Sequence, residues 1–304
     1  MPELPEVETV LVGLNELIVG KKIKSVKKDW LKSFPNNNSL VNKHLIDAQI
    51  ISLKRRAKVL IINLSSGYSL MVHLKMTGQL VFQDKKKRFG AGHPTDSLIS
   101  RLPDKSTRVI VSFNDGSKLF FNDQRKFGWM KLVKTDELMD SDFINSLGPE
   151  PLSEDFSWPA LKERLNIRPN AAIKAALLDQ KIIAGIGNIY ADESLWLAKI
   201  HPLSTVNSLS DQKIKLLHRS IIDVLYQAIK AGGSSDRNYV NARGQKGSYI
   251  KTAKVYHREG QPCLRCGHKI VKERRVNRGT HYCPYCQKPK IAKTLNIRRL
   301  IKNK

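Results

Sequence analysis

The sequence predicts an α+β protein with more than one domain. Three observations lead to this prediction. The first half of the chain alternates apolar residues with turn signals, apolar residues at helical spacing follow the prolines at 149 and 151, and four cysteines lie close together near the end. The chain has 304 residues, which allows about two domains, and 41% hydrophobic residues are enough to form folded cores.

The charge of the chain indicates a polyanionic partner. Its formal net charge is +26, and the basic excess is spread along the chain, which favours nucleic acid over an anionic membrane surface. No apolar run approaches the roughly 18 residues of a membrane span. The first twenty residues contain glutamates and lack the basic residues with which a secretory signal peptide begins. We therefore expect an intracellular protein without a membrane segment that binds nucleic acid.

A helix is predicted almost at the amino terminus. Apolar residues from Val7 to Ile18 recur at helical spacing, with Pro5 and Glu6 suited to the first turn and Gly20 to the end. Segments 50–64 and 68–82 are interpreted as extended and as the two arms of a hairpin, and residues 108–121 as a second hairpin around Asn-Asp-Gly. The stretch between them, 84–107, is basic and rich in turn residues, so we expect a mobile loop there.

Helices are predicted after the prolines. One covers about 188–199 behind Gly185 and Gly187, where glycines could either expose a phosphate-binding helix end or permit close packing. Another begins at the N-cap Ser210 and ends at Gly232-Gly233. These patterns, with the cysteines, predict the following division: an amino-terminal domain over 1–147, a helical domain with a loop over 148–250, a zinc-binding segment over 251–290 and a basic tail over 291–304.

The cysteines predict a zinc site. They form two C-x2-C pairs separated by sixteen residues, the spacing of a zinc ribbon. Zinc takes four thiolates tetrahedrally, and such a closed site is structural rather than catalytic. Two disulfides are the alternative, which a reducing compartment disfavours. The expected ligands of one structural zinc ion are Cys263, Cys266, Cys283 and Cys286.

The amino terminus offers a nucleophile. The sequence has neither the G-x-S-x-G nor the P-loop pattern, so ester and nucleotide hydrolysis are not indicated. Pro2 is a small residue after which an initiator methionine is commonly removed, which would leave a secondary amine. An α-amino group titrates at roughly 7.7–8.0, against about 10.4 for lysine, so part of it is neutral and nucleophilic near pH 7. Such an amine can attack an aldehyde-like carbon, and Glu3 beside it can act as acid or base.

The first nine residues, Met-Pro-Glu-Leu-Pro-Glu-Val-Glu-Thr, resemble the signature of the formamidopyrimidine-DNA glycosylase and endonuclease VIII family. Leu4 favours the bacterial formamidopyrimidine branch, because endonuclease VIII enzymes usually carry glycine there. The resemblance extends over residues 1–288. Further similar segments follow in the same order, at 55–58, 73–78, 123–128, 147–152, 185–193 and 278–283.

The resemblance implies an amino-terminal β-sandwich with a leading helix, a helix-two-turns-helix bundle and a zinc-ribbon β-hairpin. It implies base-excision DNA repair by a bifunctional glycosylase and abasic-site lyase, which removes 8-oxoguanine and formamidopyrimidines through a Schiff base and β,δ-elimination. The partner would be double-stranded DNA with oxidised bases or abasic sites. The enzyme would act as a monomer in the bacterial cytoplasm, associated with the nucleoid.

Catalytic roles are implied for four residues. Pro2 would attack the sugar C1′, and Glu3 would move protons at the ribose ring oxygen and during elimination. Lys58 would bind phosphate beside the developing oxyanion, although without the motif it would be interpreted as an ordinary exposed lysine on a strand. Arg278, together with Asn188, would hold the phosphates of the extruded nucleotide.

Other residues would contact DNA as the damaged nucleotide leaves the stack. Met76, Arg125 and Phe127 match the family's gap-filling trio, and Lys174 matches a lysine near the lesion pocket. Residues 234–249 match a loop that closes over the damaged base. Departures from the family pattern, which could redistribute backbone contacts, are Ser106, Lys126 and Pro169-Asn170.

Two other functions remain open from the sequence. One is an endonuclease VIII-like glycosylase for oxidised pyrimidines on the same fold. The other is a non-catalytic zinc-ribbon protein that binds damaged DNA.

Overall fold

The computed structural model describes residues 2–93, 95–234 and 248–291. These residues form two compact units. The first comprises the described residues of Met1–Asn145 and Ala228–Tyr249, and the second those of Ser146–Gln227 and Ile250–Lys304. The predicted basic tail therefore lies outside the described residues except for residue 291, and the predicted lesion loop except for 234, 248 and 249.

The first unit contains a leading helix and two antiparallel sheets. One sheet has five strands in the order β1-β7-β8-β5-β6, and the other has four in the order β2-β3-β4-β9. Its elements are α1 (Leu4–Ile18), β1 (Ile23–Lys28), α2 (Asn38–His44), β2 (Ile50–Arg56), β3 (Val59–Leu64), β4 (Tyr68–His73), β5 (Gly78–Gln83), β6 (Arg88–Gly92), β7 (Thr107–Phe113), β8 (Lys118–Asp123), β9 (Trp129–Lys134) and α3 (Asp142–Asn145).

One apolar core joins the two sheets and the leading helix. Leu14 of α1 packs in the same buried cluster as Leu60 of the four-stranded sheet and Leu80 of the five-stranded sheet. Leu60 and Ile62 of β3 and Leu80 and Phe82 of β5 are alternate residues in this cluster, because successive side chains of a strand point to opposite faces. The predicted β-sandwich with a leading helix is confirmed.

Two sequence-based interpretations were wrong in detail. Segments 50–64 and 68–82 are each two strands rather than one, interrupted by turns at 57–58 and 74–77. Both turns contain a non-glycine residue in the left-handed region, Ala57 (φ 54°) and Lys75 (φ 49°), so no glycine or proline marks them in the sequence.

The predicted loop over 84–107 was also wrong for residues 88–92. They form β6, which pairs with β5. The Arg88 guanidinium donates to the carbonyls of Leu98 (3.0 Å), Ser97 (3.1 Å) and Ser100 (2.6 Å), so this arginine organises the chain after β6. A basic residue taken as a sign of a loop therefore has a structural role.

The second unit is helical and ends in a hairpin. Ser210 accepts the N–H of Lys213 (3.4 Å) at the start of its longest helix, as predicted. The last turn of that helix belongs to the first unit. Within the described ranges, no helix is both long and apolar enough to cross a membrane. The elements are α4 (Trp158–Asn166), α5 (Ile173–Leu178), α6 (Asn188–Leu197), α7 (Asp211–Lys230), α8 (Tyr249–Thr252), β10 (Val271–Arg275) and β11 (Arg278–Tyr282).

Candidate active site and metal centre

The predicted nucleophile and its neighbour lie at the head of α1. Pro2 and Glu3 are buried, and Glu3 is 3% exposed. Glu6, one turn into the helix, accepts the backbone N–H of Glu3 through Oε2 at 2.8 Å. A carboxylate near a helix N-terminus is also favoured by the helix dipole. The backbone next to Pro2 is therefore held by a defined hydrogen bond.

The second oxygen of Glu6 reaches a different segment. Oε1 accepts the N–H and the hydroxyl of Ser234, at 2.7 and 2.8 Å. Gly233 (φ 84°) lies so close that a Cβ there would be 3.0 Å from the same oxygen. Glu6 thus connects the head of α1 to the chain after α7, a role that the sequence analysis missed because a glutamate in a first helical turn is common.

Lys58 lies in the two-residue turn between β2 and β3, and it is only 6% exposed. Arg55 fixes this turn, because its Nε lies 2.6 Å from Oε2 of Glu8 in α1 and its Nη1 donates to the carbonyl of Ala57 (3.0 Å). The ion pair between Arg55 and Glu8 therefore anchors the lysine-bearing turn to α1, the helix that follows the predicted nucleophile.

His73 stabilises the neighbouring turn in its neutral form. Burial, together with the charges of the nearby Lys75 and Lys58, lowers the pKa of its imidazole to about 3. The neutral ring accepts the backbone N–H of Lys75 through Nδ1 at 3.0 Å. This bond holds the turn that carries Met76, in which Lys75 has its positive φ.

The structure brings the three predicted gap-filling residues together. Nη1 of Arg125 lies 3.2 Å from Sδ of Met76, and the guanidinium of Arg125 lies 4.9 Å from the ring centre of Phe127. Phe127 is 53% exposed although it is a large apolar residue. An exposed aromatic ring can stack on a base, and an exposed cation beside the ring can contact the neighbouring base.

In the second unit, a tight hairpin presents Arg278. Val276 (φ 51°) and Asn277 (φ 57°) form the two-residue turn between β10 and β11, and both have the positive φ of a type I′ turn. Arg278 follows directly and is exposed. Asn188, the first residue of α6, donates to the carbonyl of Gly279 at 2.9 Å, so the two predicted phosphate-binding residues lie on connected segments.

Lys174 lies beneath this hairpin and is wholly buried. Its ammonium is 2.7 Å from Oδ1 of Asp192, 2.9 Å from Oγ1 of Thr280 and 3.1 Å from the carbonyl of Gly279. It therefore supports the hairpin in this structure, and a direct contact with DNA stays a prediction. Asp192, which the sequence analysis missed, also accepts the N–H of His281 at 2.9 Å; a charged residue inside an apolar helix was the available signal.

The four cysteines fit a zinc ion. Their Sγ atoms all lie within 4.8 Å of one another, and two of the pairs are separated by 3.5 and 4.0 Å. Zinc bound tetrahedrally by thiolates at about 2.3 Å requires sulfur separations of about 3.8 Å. A disulfide would need about 2.05 Å, so the alternative of two disulfides does not fit these distances.

An indole N–H reaches the zinc ligands from α6. Nε1 of Trp196 donates to Sγ of Cys263 at 3.4 Å, and the guanidinium of Arg265 stacks 4.0 Å from the Trp196 ring. Burial would raise the pKa of the Cys263 thiol, but N–H donors from Arg265 and Trp196 lower it to about 6. Because Asn188 and Trp196 lie on the same helix, α6 connects the zinc site to one of the predicted phosphate-binding residues.

Three family models match consecutive parts of the chain. They are the formamidopyrimidine-DNA glycosylase N-terminal domain over residues 1–130, the formamidopyrimidine-DNA glycosylase H2TH domain over 147–239, and a zinc finger found in FPG and IleRS over 260–289. The formamidopyrimidine-DNA glycosylase of Pediococcus pentosaceus is 40% identical over 287 residues, with 94% of this chain and 99% of the relative covered. The chain belongs to the formamidopyrimidine-DNA glycosylase family. A second relative, the enzyme of Enterococcus faecalis, is 41% identical over 291 residues, covering 95% of this chain and 98% of its own.

Solved structures of the glycosylase family have the same fold. A Lactococcus lactis FPG variant in complex with Fapy-dG-containing DNA has a TM-score of 0.83 at 37% identity, with 94% of this chain and all of that chain covered. The Lactococcus lactis Fpg complex with abasic-site DNA has a TM-score of 0.82 at 37% identity, covering 94% of this chain and 99% of that one. The predicted family, its fold class and its single structural zinc are confirmed.

Proposed function

We propose that this formamidopyrimidine-DNA glycosylase is a bifunctional base-excision repair enzyme, which removes 8-oxoguanine and formamidopyrimidines from double-stranded DNA and then cleaves the abasic site. The observation that carries the proposal is the head of α1, where Pro2 and Glu3 are buried together and Glu6 holds the backbone N–H of Glu3. Solved relatives contain DNA with Fapy-dG, with carbocyclic 8-oxo-G and with an abasic site, which supports an oxidised purine as the substrate.

The first step forms a covalent intermediate. After removal of Met1, the Pro2 nitrogen attacks C1′ with its lone pair, and the bond from C1′ to the base nitrogen breaks, so the base leaves with that electron pair. The proton on the Pro2 nitrogen is lost and passes to the departing base, which restores the nitrogen lone pair. This lone pair then forms the second bond to C1′ as the bond from C1′ to O4′ breaks, Glu3 donates a proton to O4′, and an iminium joins Pro2 to C1′. Shelter from water at this buried site favours the iminium over early hydrolysis.

The iminium then drives strand cleavage. Loss of a proton from C2′ breaks the C3′–O bond and releases the 3′ phosphate, and loss of a proton from C4′ breaks the C5′–O bond in the same way. Water finally hydrolyses the iminium and restores the Pro2 amine. Lys58, fixed in its turn through Arg55, would hold a phosphate and stabilise the developing negative charge.

The remaining site residues would expose the damaged nucleotide. Met76, Arg125 and Phe127 would fill the gap that it leaves in the duplex, and Arg125 would hydrogen-bond the partner base. Asn188 and Arg278 would bind the phosphates of the extruded nucleotide, which agrees with their positions at a helix start and after a hairpin turn. Lys174 would contribute by holding this hairpin in place from beneath.

The enzyme would work in the bacterial cytoplasm in association with the nucleoid. The net charge of +26 supports this location, because it provides long-range attraction to chromosomal DNA.

Borohydride trapping tests the proposed function. The protein is mixed with a duplex that contains 8-oxoguanine opposite cytosine, reduced with borohydride, and digested for peptide mass mapping. We expect an adduct on Pro2, none with an undamaged duplex, and a weaker one with a 5-hydroxyuracil duplex. A stronger adduct with the 5-hydroxyuracil duplex would show that the preferred substrate is an oxidised pyrimidine. Tight binding without any adduct, after confirmed loss of Met1, would favour the non-catalytic binder.

A further inference from the structure

We propose that Thr77 and Asp123 are positioning residues that hold Met76, Arg125 and Phe127 in one arrangement before DNA binds. The proposal rests on the proposed function, because it concerns how this enzyme would open the duplex. It adds two residues that act through the gap-filling segments they hold.

Asp123 organises the loop that carries Arg125 and Phe127. Its side chain is completely buried at the end of β8. Oδ1 accepts the backbone N–H of Arg125 at 3.2 Å, and Oδ2 accepts that of Gly128 at 2.6 Å. One carboxylate therefore fixes the loop on both sides of its exposed residues.

Thr77 joins this loop to the turn that carries Met76. Its hydroxyl donates to Oδ1 of Asp123 and accepts the backbone N–H of Arg125 at 3.1 Å. The turn itself is closed by the bond from the Gly78 N–H to the Leu74 carbonyl, at 2.9 Å. A single hydroxyl thus links the two segments that supply all three gap-filling residues.

The backbone of the loop needs such support. Lys126 lies between Arg125 and Phe127 with a φ of 58°, a conformation that a residue with a side chain adopts at a cost unless its surroundings hold it. Gly128 leaves no room for a side chain, because a Cβ there would be 2.7 Å from Phe121 and 3.1 Å from Oδ2 of Asp123. The loop is therefore closely fitted around the carboxylate.

The burial of Asp123 indicates that its role is to hold the two gap-filling segments in place. Taking a carboxylate out of water is unfavourable unless several donors satisfy it, and here a hydroxyl and two backbone N–H groups do so. All three donors belong to the two gap-filling segments. Groups held in their productive arrangement lose less freedom when they enter the duplex, so this network should accelerate opening of the base stack.

Extrusion of the nucleotide can be measured separately from the later chemistry. A lesion in a duplex must leave the stack, whereas an abasic site in a single strand has no stack to leave. Weakening the link through Thr77 should therefore slow excision from the duplex and leave cleavage of the single-stranded abasic site nearly unchanged.

The test compares Thr77→Val, which removes the hydroxyl at nearly constant volume, with Thr77→Ser, which keeps it. Thr135→Val serves as a control, because it removes a hydroxyl that hydrogen-bonds Ser69 in the same unit, on a threonine outside the gap-filling segments. Single-turnover rates are measured on an 8-oxoguanine duplex and on a single-stranded abasic oligonucleotide. The fluorescence of 2-aminopurine placed beside the lesion reports opening of the stack.

We expect Thr77→Val to lower both the duplex excision rate and the rate of the fluorescence change about tenfold, the effect of one lost hydrogen bond to a charged group. Cleavage of the abasic single strand should change less than about twofold, and Thr77→Ser should restore the duplex rate. Wild-type duplex rates for Thr77→Val, or equal losses on both substrates, would overturn the inference. A wild-type protein inactive on both substrates would instead overturn the proposed function.

Discussion

The ammonium of Lys174 lies 2.7 Å from a carboxylate oxygen of Asp192, and neither side chain is exposed to solvent. The same ammonium donates to the carbonyl of Gly279, which also accepts a hydrogen bond from Asn188. Arg278 precedes that carbonyl in the chain. The buried ion pair therefore stabilises the hairpin that carries the predicted phosphate-binding arginine.

Replacing Asp192 by Asn should strongly destabilise the second unit. The change leaves the ammonium of Lys174 buried without its counter-charge, which costs about 3–5 kcal/mol. Urea unfolding monitored by tryptophan fluorescence measures the effect. Lys162→Gln is the control, since it breaks an exposed pair with Asp211 worth at most about 1 kcal/mol. Equal unfolding midpoints for the two variants would contradict the importance of the buried pair.

Replacing Glu3 by Gln should separate lesion binding from base removal. The amide keeps the shape of the side chain but cannot supply a proton to O4′, so we expect the excision rate to fall at least about 100-fold. Affinity for an 8-oxoguanine duplex, measured by fluorescence anisotropy, should remain within a few fold. Glu16→Gln, exposed on the same helix, is the matched control. Normal turnover by Glu3→Gln would refute its role as an acid and base.

Replacing Cys263 by Ser should release zinc and weaken DNA binding and excision together. Three remaining thiolates bind the metal less tightly, and the hairpin that carries Arg278 depends on the ribbon. Trp196→Phe is a milder companion, because it removes only the indole N–H that donates to Cys263. Metal analysis and DNA affinity are measured on the same samples. A metal-free Cys263→Ser protein with full activity would refute a structural role for zinc.

His73 should make the protein less stable as the pH falls below 6.5. Burial lowers its pKa to about 3 in the folded state, so between 6.5 and about 3 the unfolded chain binds a proton that the folded chain does not. Stability is therefore greatest above 6.5 and falls with decreasing pH, by roughly 2 kcal/mol from this residue between pH 7 and 5.

The test measures urea unfolding at pH 7 and pH 5 for the wild type and for His73→Asn. Asparagine can accept the N–H of Lys75 in place of Nδ1 but does not titrate in this range. The variant should therefore lose less stability than the wild type between the two pH values. Identical losses would show that His73 is not the responsible group.

Much of the fold was predictable because local signals agree with the tertiary structure. The helix from Leu4 to Ile18, the helix capped by Ser210 and the zinc ribbon follow from apolar spacing, a capping residue and cysteine spacing, which act over short distances. Two turns were missed, those at 57–58 and 74–77, where a non-glycine residue has a positive φ. Nothing local in the sequence marks a conformation that the surroundings impose.

The missed turns carry predicted site residues. Ala57 precedes Lys58 and Lys75 precedes Met76, while Lys126 lies between Arg125 and Phe127. Strained backbone at such positions is common where a side chain must be presented in one direction. The motif resemblance predicted the site residues, but the turns that present them were visible only in the structure.

Residue types at short spacing were enough to predict the zinc ligands and the main helices, and the motif resemblance predicted the family and the residues proposed for catalysis. The groups that support these residues became visible only in the folded chain. Glu6 joins Glu3 to Ser234, Asp123 joins the two gap-filling segments, and Asp192 holds Lys174 beneath the hairpin. These carboxylates act on partners up to 228 residues away in the chain, and only folding brings such groups within hydrogen-bond distance, where burial makes each contact strong.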